Sequence, residues 1–308
     1  MSIQNSHDKF IKDILSELTY ALDLLKEILP SEIRQTLDWN TISQESDSFV
    51  DDEFHEYFSD ALFSVDRKFD SSRNQTIQLY LLFEHKSSLD KRIHFQLLNY
   101  LSRIYSKQKQ PVIVIPIVFY HGQKTWKIPV GFVDIFDLSK DELSIFRKYI
   151  PNFEYTLYDL SHKEMHSIQT SAAIYSVLHI MKYIWNIEND SELLNWVQNS
   201  QALILDDSEQ KILVKILTYV YIHTNISKER MFRTISKIIP EKGEIAMSTA
   251  EKLRAEGKLE GRLEGELKGR LLGKLEAAKG MLDAGAEEEF VLKSTGLTKE
   301  DLQKAGLI

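Results

Sequence analysis

The amino-acid sequence predicts an α/β domain followed by an all-helical C-terminal extension, and three observations carry that expectation. Apolar residues recur at helical spacing near the N-terminus, short β-branched and aromatic runs alternate with helical stretches to about residue 165, and nearly everything after that reads as helix. With 308 residues, 43% of them hydrophobic, the chain is long enough for one main domain with appendages.

Phe10, Ile14, Leu18, Ala21, Leu22, Leu25, Ile28 and Leu29 share one helical face, which predicts a single amphipathic helix over 8–29, stopped by Pro30 and packed on a sheet. His7-Asp8 read as its start, because an acid near a helix N-terminus is favoured by the dipole. After a polar stretch over 40–53, the segments 61–68 and 77–86 are strand candidates joined by a turn-like 70–74, and together they predict a hairpin. Helical periodicity over 91–108 leads into 112–120, a nearly continuous apolar run expected of a strand covered on both faces. Pro116 inside that run requires an edge or a bulge, where its missing amide is not needed. A last strand is expected over 153–158. The order read from the residues is therefore helix, strand, strand, helix, strand, with one further strand.

Four amphipathic helices are expected over 168–185, 191–198, 208–223 and 227–239. Residues 257–276 then repeat glycine and leucine every four positions. Each glycine costs about 1 kcal/mol against alanine in a helix, and a period of four drifts by about 40° per repeat, so neither stripe keeps to one face. A solvated helix or linker accounts for this segment, and oligomerisation through its leucines is the alternative. Short helices over 279–284, 287–294 and 299–304 follow, the last opened by Thr298 and Asp301 in the manner of a capping box. The expected division is a core over 1–165, a helical subdomain over 166–247, the repeat over 248–278 and a small tail over 279–308.

Several function classes are excluded. With no cysteine there is no disulfide framework, thiol nucleophile or thiolate zinc site, which fits a reducing, cytoplasmic setting. The N-terminus does not read as a signal peptide, and the longest apolar run is far short of the roughly 20 residues a membrane span needs. No phosphate-cradling glycine loop, nucleophile elbow or HExxH motif occurs. The net charge of -8 argues against bulk coating of nucleic acid, yet six basic residues between Lys86 and Lys109 face one acid, Asp90.

Chemistry concentrates at the end of the strand 77–86. Alternation sets Leu79, Leu81, Phe83 and His85 on one face and Tyr80, Leu82, Glu84 and Lys86 on the other. An acid and a lysine ending an apolar strand are costly to bury unless paired or bound to something, although an ion pair at a surface strand end also accounts for them. Asp60 stands just before the preceding strand, and a hairpin would bring that strand alongside Glu84. Two carboxylates so placed can hold a hard divalent cation. On the following helix, Gln96 lies with Ile93, Leu97 and Tyr100, where an amide either satisfies backbone groups or orients a water or phosphate. Arg92, Arg103 and Lys107 on the same helix are candidates for phosphate contact, and a solvated face is the commoner explanation for such charges. His85 should face away from Glu84 and Lys86 as a core histidine, and His121 before Gly122 reads as structural.

Asp60, then Glu84-His85-Lys86, resembles the PD-(D/E)XK motif of restriction-endonuclease-like folds. The wider pattern of His7-Asp8-Lys9-Phe10, Ser59-Asp60-Ala61-Leu62-Phe63, LYLLFEHKSS, FQLLNYLSRIY, PIVFYHG with Trp126, and the glycine repeat leading to Gly296-Leu297-Thr298-Lys299-Glu300 resembles the recombination-promoting nuclease family along most of the chain. The resemblance implies a restriction-endonuclease-like αβββαβ core and a bacterial, Mg2+-stimulated DNA endonuclease. It implies Asp60 and Glu84 as metal ligands, Lys86 activating or positioning water, and Gln96 in support. Many members of the family carry glutamine where this chain has Lys86, and lysine matches the broader fold. The expected partner is DNA, with a homo-oligomer through the C-terminal helices as a further possibility and no membrane. The competing class is a non-catalytic DNA-binding or assembly protein that keeps the fold.

Overall fold

Five strands form one mixed sheet whose spatial order follows the chain, β1-β2-β3-β4-β5. The structure is a computed structural model that describes residues 3–45, 61–68 and 78–308. The strands are β1 (Leu37–Gln44), β2 (Ala61–Arg67), β3 (Gln78–Lys86), β4 (Ile113–Tyr120) and β5 (Thr156–Asp159). β1, β2 and β3 pair antiparallel, whereas β4 and β5 each add parallel to the strand before them. A helix, α4 (Ile93–Lys107), makes the crossover between parallel β3 and β4. The expected turn over 70–74 lies outside the described residues.

The predicted first helix is two helices, α1 (Ile3–Leu15) and α2 (Leu18–Ile28), followed by the single turn α3 (Ser31–Arg34). The break falls at Ser16-Glu17, where the Ser16 hydroxyl donates to the Asp13 carbonyl and Glu17 takes extended dihedrals ahead of α2. Because α1 begins at Ile3, His7 and Asp8 lie inside it rather than at its start. β1 occupies part of the stretch that reads as polar. Only Leu37 and Ile42 of its eight residues are buried, as befits an edge strand, and its register with β2 shifts between Asp38 and Ser43.

Alternation along β3 assigns its two faces as expected. Leu79, Leu81 and Phe83 join Phe63, Val65, Ile117 and Phe119 under α1 and α2, in a core that runs on into the later helices. Tyr80 and Leu82 pack with Val114, Val118 and Tyr120 against Ile93, Leu97, Tyr100, Leu101 and Ile104 of α4. The sheet is thus covered on both sides, which explains the unbroken apolar run of β4. Pro116 pairs with Leu82, but β5 begins opposite Ile117, so β4 has a neighbour on one side only at the proline.

Beyond β4 the chain turns through Gly122, where an added Cβ would lie 2.3 Å from the Tyr120 hydroxyl. α5 (Lys140–Phe146) starts in a capping box of Ser139 and Glu142. Five helices then build on the first core: α6 (Ala172–Tyr183), α7 (Asp190–Asn199), α8 (Gln201–Leu205), α9 (Gln210–His223) and α10 (Lys228–Ile238), with serine caps at Ser171 and Ser227. Contacts divide the chain into two units, Met1–Met247 and Ser248–Ile308.

The glycine-leucine repeat is helical, part of α11 (Glu244–Asp283). Around Gly265, Gly269 and Gly273 a Cβ would meet nothing within 4 Å, and Leu259, Leu271 and Leu272 are exposed. α12 (Glu288–Thr295) and α13 (Lys299–Lys304) close the second unit around Ala278, Val291, Leu297 and Leu302. Gly296 sits at φ +63°, the left-handed cap that ends α12, and Thr298 with Asp301 forms the capping box of α13. No helix among the described residues is long and apolar enough to cross a membrane.

Leu81 is fully buried in β3, so Leu81→Ala should cost about 2–5 kcal/mol by loss of transfer energy and a residual cavity. Urea unfolding followed by circular dichroism checks this, and a loss below about 1 kcal/mol would contradict the packing described.

Candidate functional site

Glu84 is 1% exposed near the end of an otherwise apolar strand, where an ionised carboxylate must be compensated. Its Oε1 accepts hydrogen bonds from Gln96 Nε2 at 2.6 Å and from Lys86 Nζ at 2.9 Å. The second Gln96 amide hydrogen goes to the Tyr100 hydroxyl at 2.6 Å, and Gln96 Oε1 accepts from Lys86 Nζ at 2.8 Å. Lys86 also reaches Asp90 Oδ2 at 3.1 Å. Its three acceptors, from Glu84, Gln96 and Asp90, match the three hydrogens of an ammonium group. Burial disfavours the charge on Lys86, but Glu84 and then Asp90 more than offset it, and the amine is held above its ordinary range.

One atom of this knot is left over. Glu84 Oε2 is buried and has no hydrogen-bond partner among the described residues. An unpartnered anionic oxygen in such a place costs stability unless something binds it, and a hard cation is the group its chemistry fits. Among the described residues no cluster of three or more histidine, aspartate or glutamate side chains could hold a metal ion. Asp60 lies outside the described residues. Ala61, the next residue in sequence, pairs with Phe83, so the start of β2 lies beside the end of β3 that carries Glu84.

The structure thus brings Glu84, Lys86 and Gln96 together and adds Asp90 and Tyr100. Asp90 reads from sequence only as the lone acid in a basic segment. Tyr100 stands four residues after Gln96, a spacing at which helix side chains meet, so that contact had a sequence signal. Arg92, Arg103 and Lys107 lie at helical spacings of four, seven and eleven from Gln96, within about 40° of its direction around α4. Arg92 and Lys107 are exposed, and the Arg103 Nε donates to Asn99 Oδ1 at 3.2 Å.

The opposite face of β3 carries a second polar group that sequence reading left as isolated structural histidines. His85 faces away from Glu84, as alternation requires, and its Nδ1 donates to Asp8 Oδ1 at 2.7 Å. His85 Nε2 lies 2.9 Å from His121 Nδ1, and the two nitrogens share a hydrogen bond. His7 stacks on His223 at 3.9 Å between ring centroids, and its Nδ1 is 2.6 Å from the Tyr219 hydroxyl. Burial, with the neighbouring histidines, pulls His7 down to about 3 and His121 well below the usual histidine range, and burial lowers His223 to about 4. Asp8 also loses solvation on burial, but the hydrogen bond and charge of His85 outweigh this and hold its carboxyl below the usual range.

Comparison with known proteins gives four findings. The sequence profile of the family described as "Putative transposase, YhgA-like" matches residues 5–215. The chain is similar to the recombination-promoting nuclease RpnA of Escherichia coli strain K12, at 25% identity over 97% of this chain and 96% of the relative. It is similar to the inactive recombination-promoting nuclease-like protein RpnE of the same strain, at 26% identity over 96% of each. No solved structure matches.

His7 and His223 make stability depend on pH. Their folded pKa values, about 3 and about 4, lie below the ordinary 6.5, so the unfolded chain binds more protons as pH falls, and stability is lost from about 6.5 down towards 3–4. At pH 5 each such histidine should cost roughly 2 kcal/mol. Urea midpoints that fall between pH 7.5 and 5 in the wild type, and fall less in His7→Phe, check the sign; equal midpoints at the two pH values would refute it.

Proposed function

The chain belongs to the YhgA-like putative transposase family, and on that footing we propose that it is a divalent-metal-dependent DNA endonuclease with its active site at the end of β3. The single observation that carries the reading is the buried Oε2 of Glu84, without a hydrogen-bond partner among the described residues, beside a lysine held in its charged form. Support also comes from the element order, three strands, a helix and a parallel strand after an N-terminal helix, which suits a restriction-endonuclease-like αβββαβ core. Full-length similarity to a protein named as a recombination-promoting nuclease points to the same chemistry.

In this reading Asp60 and Glu84 would hold Mg2+ or a similar cation through their carboxylate oxygens, and the cation, when bound, would supply positive charge against the scissile phosphate and lower the pKa of water. Gln96 holds Glu84 Oε1 and Lys86 Nζ in fixed relation by donating to one and accepting from the other. Asp90 is the longest of the three Lys86 contacts, so it is the one a substrate phosphate or attacking hydroxide displaces. Lys86 then donates to the developing charge without leaving Glu84. Water loses a proton to solvent as it adds to phosphorus, the ester P–O bond breaks, and the leaving oxygen takes a proton from solvent. Arg92, Arg103 and Lys107, on the Gln96 side of α4, contact the DNA backbone and position the strand without reading its sequence.

A second reading is favoured by one finding, that a relative of equal similarity is named inactive. In it the fold is kept for DNA binding or assembly, with self-association through the exposed leucines of α11.

Nicking of supercoiled plasmid by the purified protein distinguishes the two. Activity should require Mg2+, vanish with EDTA, and fall at least about a hundredfold in Glu84→Ala and Asp60→Ala. Unchanged cleavage by Asp60→Ala would place the site elsewhere. DNA binding without cleavage by the wild type would favour the second reading.

A further inference from the structure

We propose that Asp8, His85 and His121 are positioning residues that fix the end of β3, and through it Glu84 and Lys86, by a hydrogen-bonded chain on the opposite face of the sheet. The role assigned to Glu84 and Lys86 rests on the endonuclease reading above. The chain itself rests on geometry alone.

Glu84, His85 and Lys86 pair with Val118, Phe119 and Tyr120 of β4. Splaying of this strand end would carry Glu84 and Lys86 away from Gln96, and His121, the first residue after β4, holds it on the β4 side. Its backbone N–H donates to the Lys86 carbonyl at 3.1 Å, and its own carbonyl accepts from Trp185 Nε1 at 3.1 Å. Its side chain meets His85 Nε2 at 2.9 Å. His121 is therefore tied to β3 twice, once through Lys86 and once through the residue between Glu84 and Lys86.

His85 passes the constraint on. Its Nδ1 donates to Asp8, which stands on α1, 77 residues away in sequence. The chain thus links α1, β3, the end of β4 and Trp185 beyond α6. Its cost argues that it is not mere filling. Both imidazoles are almost wholly buried, in a core whose neighbours Phe83 and Phe119 show that apolar rings fit there. A phenylalanine would fill such space with no polar atom to satisfy, whereas each imidazole needs partners of fixed direction. Directional partners define position in a way that apolar packing does not.

Asp8 is the residue to change, because its side chain is about a third exposed and its loss need not empty the core. Asp8→Leu removes the acceptor, and Asp8→Asn keeps an oxygen that can still accept from His85. Three quantities would be measured in each: the thermal midpoint, kcat and KM for nicking of plasmid with Mg2+, and the side-chain NMR resonance of Lys86, assigned by its absence from Lys86→Arg. In Asp8→Leu, kcat should fall between about tenfold and a hundredfold with KM within about twofold, as expected for misplaced reacting groups. The Lys86 resonance should move as its contacts with Glu84 and Gln96 loosen. Asp8→Asn should restore most of both. A folded Asp8→Leu with wild-type kcat and an unmoved Lys86 resonance would overturn the proposal. So would an Asp8→Asn as defective as Asp8→Leu, since the carboxylate charge and not the hydrogen bond would then matter. If the wild type does not cleave at all, the endonuclease reading fails by itself, and the Lys86 resonance in Asp8→Leu still decides whether the chain positions the strand end.

Discussion

A buried carboxylate at the end of an apolar strand constrains everything around it. Glu84 is removed from water, so its charge must be met by donors that come from close by and arrive in fixed directions. Lys86 supplies the countercharge from the same face of β3, and Gln96 bridges the two from α4. That arrangement requires α4 to lie across β3 with Gln96 towards its end, which the packing of Ile93, Leu97, Tyr100 and Leu101 on Tyr80 and Leu82 secures. The parallel crossover through α4 is thus tied to the chemistry of one side chain.

The two faces of β3 solve different problems with polar groups in an apolar setting. On the α4 face the knot is charged, and one oxygen is left without a partner among the described residues. On the α1 face burial and neighbouring histidines hold His7 and His121 below the usual histidine range, and the polar partners come from α1, α9 and the residue after β4. Neighbouring residues of a strand point to opposite faces but share one backbone, so a shift of the backbone at His85 also moves Glu84 and Lys86. The second unit has a simpler logic: a small apolar cluster closes its tail, while Gly265, Gly269 and Gly273 of its repeat face open space.

Much of the fold was legible because local periodicities report local structure. The alternation of Leu79 to Lys86 placed Glu84 and Lys86 on one face and His85 on the other, and the helical spacing of Ile93 to Ile104 placed α4. Pro116 was read correctly as a position with a neighbour missing. Failures came where local signals were weak or competed. β1 was obscured by its polar residues, since an edge strand buries only a few side chains. The break at Ser16-Glu17 was hidden by an apolar stripe that runs through both helices, and only the Ser16 side chain marks it.

By itself the sequence determined the α/β class, the faces of β3 and the candidates Glu84, Lys86 and Gln96, because each follows from a period of two or of 3.6 read within a few residues. Only the tertiary structure decided that Asp90 and Tyr100 complete the knot around Lys86 and Gln96, that Asp8 reaches His85, and that His121 holds Lys86 through its backbone. Those contacts depend on hydrogen-bond direction, and most of them join elements far apart in the chain. Residue types along one segment fix neither the direction of a hydrogen bond nor the partner that waits across the sheet.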